Sequence, residues 1–234
     1  MIAACAGEAA PPGEFVGRLC HLGPRLLPVD GASVSLLAEG AARQLLCSTD
    51  DTAAQLCEAQ LSLGSGPGLH AFAEGSPVLV ADLGRASDAE RWPMFAHRAL
   101  ELETAALFAF PLSVGAIAVG TMDLYRRRPG PLAEPEIGAA LLLADAVTLG
   151  VLRLYATGGE AEYERGEGEL SSWLPGQADY DEVHQATGMV MVQCGVGPEE
   201  ALLRLRARAF AVGMDLTGLS REVVSRRVRL DEDE

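Results

Sequence analysis

Two architectures in succession are predicted: an α+β domain in which helices flank an antiparallel sheet, followed by an all-α bundle of three short helices. Three observations carry this. Strand-like runs with period-two alternation end near residue 125, apolar stripes at spacings of three and four occupy residues 183–229, and a Gly- and Glu-rich stretch with no apolar period, residues 156–178, separates the two.

In the first part, Phe15, Leu19, Leu22 and Leu26 fall at helical spacing over Glu14 to Leu27. Alternation then takes over. Ala32, Val34 and Leu36 alternate with Ser33 and Ser35 in a half-buried strand, Glu39-Gly40 supplies a turn, and Arg43 to Cys47 returns as the hairpin partner. Asp50-Asp51 opens a helix that runs through Ala53, Leu56, Cys57, Gln60 and Leu61 to Gly64. The glycines of Gly64-Ser65-Gly66-Pro67-Gly68 read either as an anion cradle or as a tight turn before a short helix; the turn is favoured because no lysine follows and no strand leads in. Pro77 to Ala81 is a strand, and a polar loop leads to a helix from Arg91-Trp92-Pro93 to Leu102 that buries Phe95, Ala99 and Leu102. Strands Ala105 to Ser113 and Ile117 to Tyr125 turn at Val114-Gly115-Ala116, and Glu134 to Tyr155 forms a long Ala- and Leu-rich helix.

In the second part Val183, Ala186, Val190 and Cys194 form one stripe, and Leu202, Leu205, Ala209 and Val212 a second. Pro198 suits a first helical position and Gly213 a stop, while Thr217 caps a third helix that offers Leu219, Val223 and Val224 inward and ends in Arg226, Arg227 and Arg229.

Composition excludes several chemistries. The net charge is -15 and all 18 basic residues are arginine, so a Walker-type phosphate lysine, a Schiff base and a Ser-Lys dyad are impossible. No G-x-S-x-G turn signals a hydrolase, and no enzymatic activity or cofactor is expected. The 5 cysteines lack a C-x-x-C pair and the 4 histidines have no cysteine at zinc-like spacing, which predicts a reducing, cytoplasmic setting and no metal site. Cys47 and Cys57 are expected to be buried and inert. The longest apolar run, Ala139 to Leu152, is short and holds Asp145, so no membrane span is expected. Trp92, Phe95, Phe108 and Phe110 are candidates to line an aromatic pocket, with core packing the alternative.

Particular residues then add a family likeness. Gly31 to Leu37, Leu63 to Ala71 (LGSGPGLHA), Pro77 to Leu83 (PVLVADL), Arg91-Trp92-Pro93, Phe110-Pro111-Leu112 and Gly120 to Tyr125 (GTMDLY) together resemble a GAF domain. Ala186, Gly188, Met189, Met191, Glu200, Ala201, Leu205, Arg206, Ala209, Leu216, Val223 and Val224 resemble an ANTAR domain, departing from the family pattern at Thr187 and Ser220. The likeness implies a GAF-like sensor over residues 14–155, an acidic linker over 156–178, an ANTAR-like RNA-binding bundle over 179–230 and an acidic tail over 231–234. It further implies a transcription antitermination regulator in which the sensor, with an unidentified small-molecule ligand, controls binding to tandem RNA stem-loops.

Arginine suits bidentate phosphate contact, so Arg204, Arg208, Arg226 and Arg227 are the candidate RNA contacts, with His184, Gln185 and Thr187 as candidate base readers. Glu200–Arg204 and Glu222–Arg226 are spaced as helix pairs, and Arg206 is a candidate structural residue. A homodimer through the long helix Glu134 to Tyr155 is expected, since paired hairpins suit a symmetric protein. The alternative is a ligand-sensing or protein-interaction regulator whose bundle binds RNA weakly or not at all.

Overall fold

The computed structural model describes residues 12–37, 44–115, 117–165 and 177–230. The elements run α1 (Pro12–Leu26), β1 (Gly31–Leu36), β2 (Gln44–Ser48), α2 (Asp51–Leu63), α3 (Pro67–Glu74), β3 (Val78–Val80), α4 (Ala86–Ala89), α5 (Pro93–Glu101), β4 (Ala106–Val114), β5 (Ile117–Arg126), α6 (Glu134–Arg165), α7 (Gln177–Cys194), α8 (Pro198–Val212) and α9 (Leu216–Val224). The expected turn at Glu39-Gly40 and the tail Asp231 to Glu234 lie outside the described residues.

The sheet is antiparallel with strand order β2-β1-β5-β4-β3. Alternation gives it two different faces. Ala32, Val34 and Leu36 of β1, Phe108, Phe110 and Leu112 of β4, and Met122 and Leu124 of β5 pack beneath α1 and α6. On the opposite face Leu107, Ala109 and Tyr125 meet α2, α3 and α5 through Ala53, Leu56, Ala71, Trp92, Phe95 and Ala99. Burying side chains of this kind contributes about 1.5–3 kcal/mol each, so both faces are needed to hold the helices. The four candidate pocket aromatics are thereby divided: Phe108 and Phe110 belong to one core, Trp92 and Phe95 to the other, and no shared pocket exists among them.

Local signals fix the elements around the second face. Asp50 caps α2 by accepting from the Ala53 N–H at 2.9 Å, and Gly64 closes it at φ 61. Pro67 is the first residue of α3, behind Gly66 at φ 157, so the glycine cluster is a turn into a helix. The loop expected between β3 and Glu90 contains one helical turn, α4.

Helix α6 runs ten residues beyond Tyr155, into the stretch expected to be a linker, and α7 starts at Gln177. Ala156, Glu160, Ala161 and Glu162 are good helix formers, and Gly158-Gly159 does not outweigh them. Glu134–Leu154 is long and apolar enough to cross a membrane by length and composition, which the run Ala139 to Leu152 alone did not indicate. One of its faces, including Ala140, Leu143, Val147 and Val151, is buried against the sheet.

Helices α7, α8 and α9 form a third core from Val183, Ala186, Val190, Ala201, Leu205, Ala209, Leu216, Leu219 and Val223. Val212, expected inside, is 45% exposed. The cap of α9 is Asp215, two residues before the expected Thr217, which accepts from the Gly218 N–H at 2.5 Å; the helix begins at Leu216, so Thr217 is already inside its first turn. Its end also differs. The helix stops at Val224, and Arg226 at φ 58 turns the chain, so Arg226, Arg227 and Arg229 do not extend it.

Candidate functional site

The second face of the sheet is polar at its centre. Ser33 and Ser35 on β1 pair in register with Asp123 and Thr121 on β5, and all four are buried. Ser35 and Thr121 hydroxyls lie 3.1 Å apart. Above them Gln60, on the inward side of α2, donates from Nε2 to Asp123 Oδ2 at 2.8 Å and accepts at Oε1 from the Gly68 N–H at 2.7 Å. A buried carboxylate is costly unless hydrogen-bonded, so Gln60 and Asp123 hold each other and tie α2 to the sheet. Tyr125 extends this face, its hydroxyl donating to Asp50 Oδ1 at 3.1 Å. Burial, with the Asp50 charge in support, raises its phenol above the ordinary value.

The glycines of the turn explain why the backbone comes so near. A Cβ at Gly68 would lie 2.8 Å from Asp123 Oδ2, and one at Gly66 2.5 Å from Gln60 Cγ. The Gly68 N–H that an anion cradle would need is already given to Gln60. At the rim, Arg91 stacks 4.3 Å over the Trp92 ring and meets His70 Nε2 at 3.1 Å. Gln60, Asp123, Ser33, Ser35 and Thr121 were not identified from the sequence as a site. The available signal was a run of small polar residues on one face of β1 and β5, opposite an apolar face.

Of the two thiols expected to be buried and inert, Cys57 is buried and Cys47 is half-buried. Cys20, buried, lies beside Cys47 and donates to the Ala32 carbonyl at 3.5 Å, while Cys57 is buried on α2. The Cys47 thiol as hydrogen-bond partner, together with burial, pushes Cys20 far above the ordinary thiol range, which makes it a poor nucleophile.

The outward side of α2 carries the C-terminal bundle. Leu61 enters the bundle core. Arg206 Nε donates to the Leu61 carbonyl at 3.0 Å, placing a cation at the carbonyl end of α2, where the helix dipole favours it. Burial lowers the Arg206 guanidinium below its ordinary value. Ser62 Oγ accepts from the Leu216 N–H at 3.0 Å, supplying one of the unpaired donors at the start of α9. Thr217, freed from the capping role, donates to Glu58 Oε1 at 3.2 Å.

The candidate RNA residues are spread over α7, α8 and the turn after α9. His184 and Gln185 are exposed midway along α7, and Thr187 turns its hydroxyl back to the Val183 carbonyl at 2.7 Å. At the C-terminal end of α7, Arg204 lies beside Cys194 and pairs with Glu200 at 2.6 Å, and the Leu230 N–H reaches Gln193 Oε1 at 3.2 Å. Ten residues of helix separate His184 from Cys194, about 15 Å. Arg208 is half-buried on α8. Arg227, expected without a helix partner, folds onto Glu222 with contacts of 2.6 and 2.8 Å. It takes the acid that the spacing assigned to Arg226, because the left-handed Arg226 swings its own side chain off the helix path. Arg221 adds a link from α9 to Glu182 of α7 at 3.1 Å.

An antiparallel sheet between helices, with a buried polar patch closed over by a short glycine-led helix, defines a class of small α+β domains. The chain belongs to the GAF domain family, whose model matches residues 9–157. GAF domains are sensory domains of regulators and kinases and commonly bind small-molecule ligands. Solved structures agree in fold. The GAF domain of an Acinetobacter phosphoenolpyruvate-protein phosphotransferase aligns with TM-score 0.55 at 14% identity, covering 68% of this chain and 92% of its own. Its Coxiella burnetii counterpart gives 0.54 at 17% with the same coverage. A domain of a two-component sensor histidine kinase protein from Sinorhizobium meliloti 1021 gives 0.52 at 22%, covering 68% of this chain and 100% of its own. A search of curated proteins finds no match.

Proposed function

We propose that the chain is a cytoplasmic transcription antitermination regulator in which the GAF domain controls RNA binding by the three-helix C-terminal unit. The supporting observation is the double use of α2. Gln60 faces the polar patch, while Glu58, Leu61 and Ser62 on the same two turns hold α8 and α9. A small polar ligand that displaces Gln60 from Asp123 or from the Gly68 N–H shifts the last turn of α2 and so alters how the bundle is held. The RNA contacts are Arg204 and Arg208 on α8 and the Arg226–Arg227 turn after α9, with His184, Gln185 and Thr187 on α7.

The test is binding to an RNA carrying two tandem hairpins at moderate salt, comparing the wild-type chain with an Arg204→Ala, Arg208→Ala double variant. The expected outcome is a loss of roughly tenfold or more in affinity and a shallower salt dependence by about one to two phosphate contacts. Absence of binding by either chain favours the second reading, a ligand-sensing or protein-interaction regulator. That reading has its own support: Arg204 and Arg227 are engaged by Glu200 and Glu222, and Val192, Leu203 and Phe210 expose large apolar side chains on the bundle.

A further inference from the structure

Between α5 and the junction of α8 with α9 lies an open cleft of about 700 Å³, floored by α2. Large apolar groups stand exposed on its walls. Met94 is 49% exposed, Phe210 65% and Met214 39%, and the three come from different elements to one opening. Leaving such groups in water forgoes about 1.5–3 kcal/mol each for full burial, so an apolar body laid across them gains what the fold alone does not. The polar groups are unevenly matched. On the α5 wall Glu101 is engaged by Arg98 at 3.0 Å and faces His97 at 3.4 Å. On the floor Glu58, and on the opposite side Asp215, receive hydroxyl and amide hydrogen bonds, and among the described residues neither stands in an ion pair. Their proximity is felt: after burial, the Asp215 charge is what raises the Glu58 carboxyl.

We propose that this cleft binds a small organic cation with an apolar body, an aryl- or alkylammonium, with the ammonium between Glu58 and Asp215 and the hydrocarbon on Phe210, Met94 and Met214. The volume is in the range of small-molecule sites, about 300–1,000 Å³. Charge complementarity excludes the acidic stretches of this chain as occupants, since residues 158–178 and the tail at 231–234 repeat the sign of the cleft. One wall belongs to the GAF domain and the other to the bundle, so the occupant bridges both and holds them in the docked arrangement. This site is distinct from the Gln60–Asp123 patch, and it stands whether or not the bundle binds RNA.

The experiment is methyl NMR of the full chain labelled at methionine, titrated with phenethylamine, 2-phenylethanol and 3-phenylpropionate at millimolar concentrations. Phenethylamine should give saturable shifts at Met94 and Met214 and none at the buried Met122, with the alcohol about tenfold weaker and the carboxylate weaker still. Glu58→Gln keeps the fold and should weaken the amine about tenfold, and Phe210→Ala, which removes an exposed ring, should weaken all three ligands. No shift with the amine, equal affinity for amine and alcohol, or amine affinity unchanged in Glu58→Gln overturns the proposal.

Discussion

Glu58 lies on α2 with its carboxylate turned to the first turn of α9, accepting from Ser62 Oγ at 3.0 Å and Thr217 Oγ1 at 3.2 Å. Burial raises its pKa more than these hydroxyls lower it, and Asp215 adds to the rise. A folded-state value above the unfolded one means that the folded chain holds this proton more tightly. The contribution of Glu58 to stability is therefore complete below its unfolded value, about 4.3, and is lost as pH rises through the folded value. Above the folded value the ionised carboxylate works against the docked state. Glu58→Gln, which keeps an acceptor for both hydroxyls, should raise the melting temperature at neutral pH and leave it unchanged once the pH falls below the unfolded value. Paired thermal melts check this. Gly68 makes the converse case: Ala there places a methyl 2.8 Å from Asp123 Oδ2 and 2.9 Å from Gln60 Oε1. Gly68→Ala should cost about 1–3 kcal/mol, read by denaturant unfolding.

At the scale of elements, α2 joins the polar patch to the bundle, and Arg206 is the contact that tests it. Arg206→Ala removes the Nε donor from the Leu61 carbonyl and the guanidinium that lies 3.0 Å from the position of a Cβ on Gly64. A charged hydrogen bond of this kind is worth about 1.5–3 kcal/mol, so amide exchange in α8 and α9 should accelerate roughly tenfold or more while β1, β4 and β5 keep their protection. Hydrogen-exchange mass spectrometry distinguishes this from global loss of stability, which would accelerate the strands equally. The elements themselves were legible in the sequence because their signals are local. Asp50 and Gly64 bracket α2, Pro67 and Pro198 start helices, and Val183, Ala186 and Val190 recur at helical spacing. What was not legible depends on distant partners. Gln60 reads as a polar residue on a helix until Asp123, 63 residues later, is placed beneath it. Arg206 was separated from the other arginines as a structural candidate, yet its partner on α2 is 145 residues away. The pairing of Arg227 with Glu222 followed from a left-handed residue at Arg226, a conformation uncommon outside glycine and asparagine and not signalled by spacing.

The whole molecule carries a net charge of -15, which opposes non-specific contact with nucleic acid and places the burden of any RNA affinity on a few arginines. Symmetry is one way to double them. Helix α6 buries Ala140, Leu143, Val147 and Val151 against the sheet and leaves Leu141 42%, Leu142 62% and Leu149 62% exposed on its other side. Leu142 and Leu149 are seven residues apart, and Asp145, exposed between them, stands at the intervening seam position. A second copy laid along this helix would cover the leucines while leaving Asp145 to accept from a neighbouring Arg153, which is exposed on the following turns. Leu142→Glu with Leu149→Glu places two acids on that seam without touching the buried face, so the fold should persist and the homodimer should dissociate. Light scattering after size exclusion reads the result: a wild-type dimer that becomes a monomer supports the α6 interface, and a wild-type chain that is monomeric at micromolar concentration, or a double variant that stays dimeric, removes it. Dissociation should also weaken binding to a two-hairpin RNA more than to a single hairpin, because linking two sites raises the effective concentration of the second.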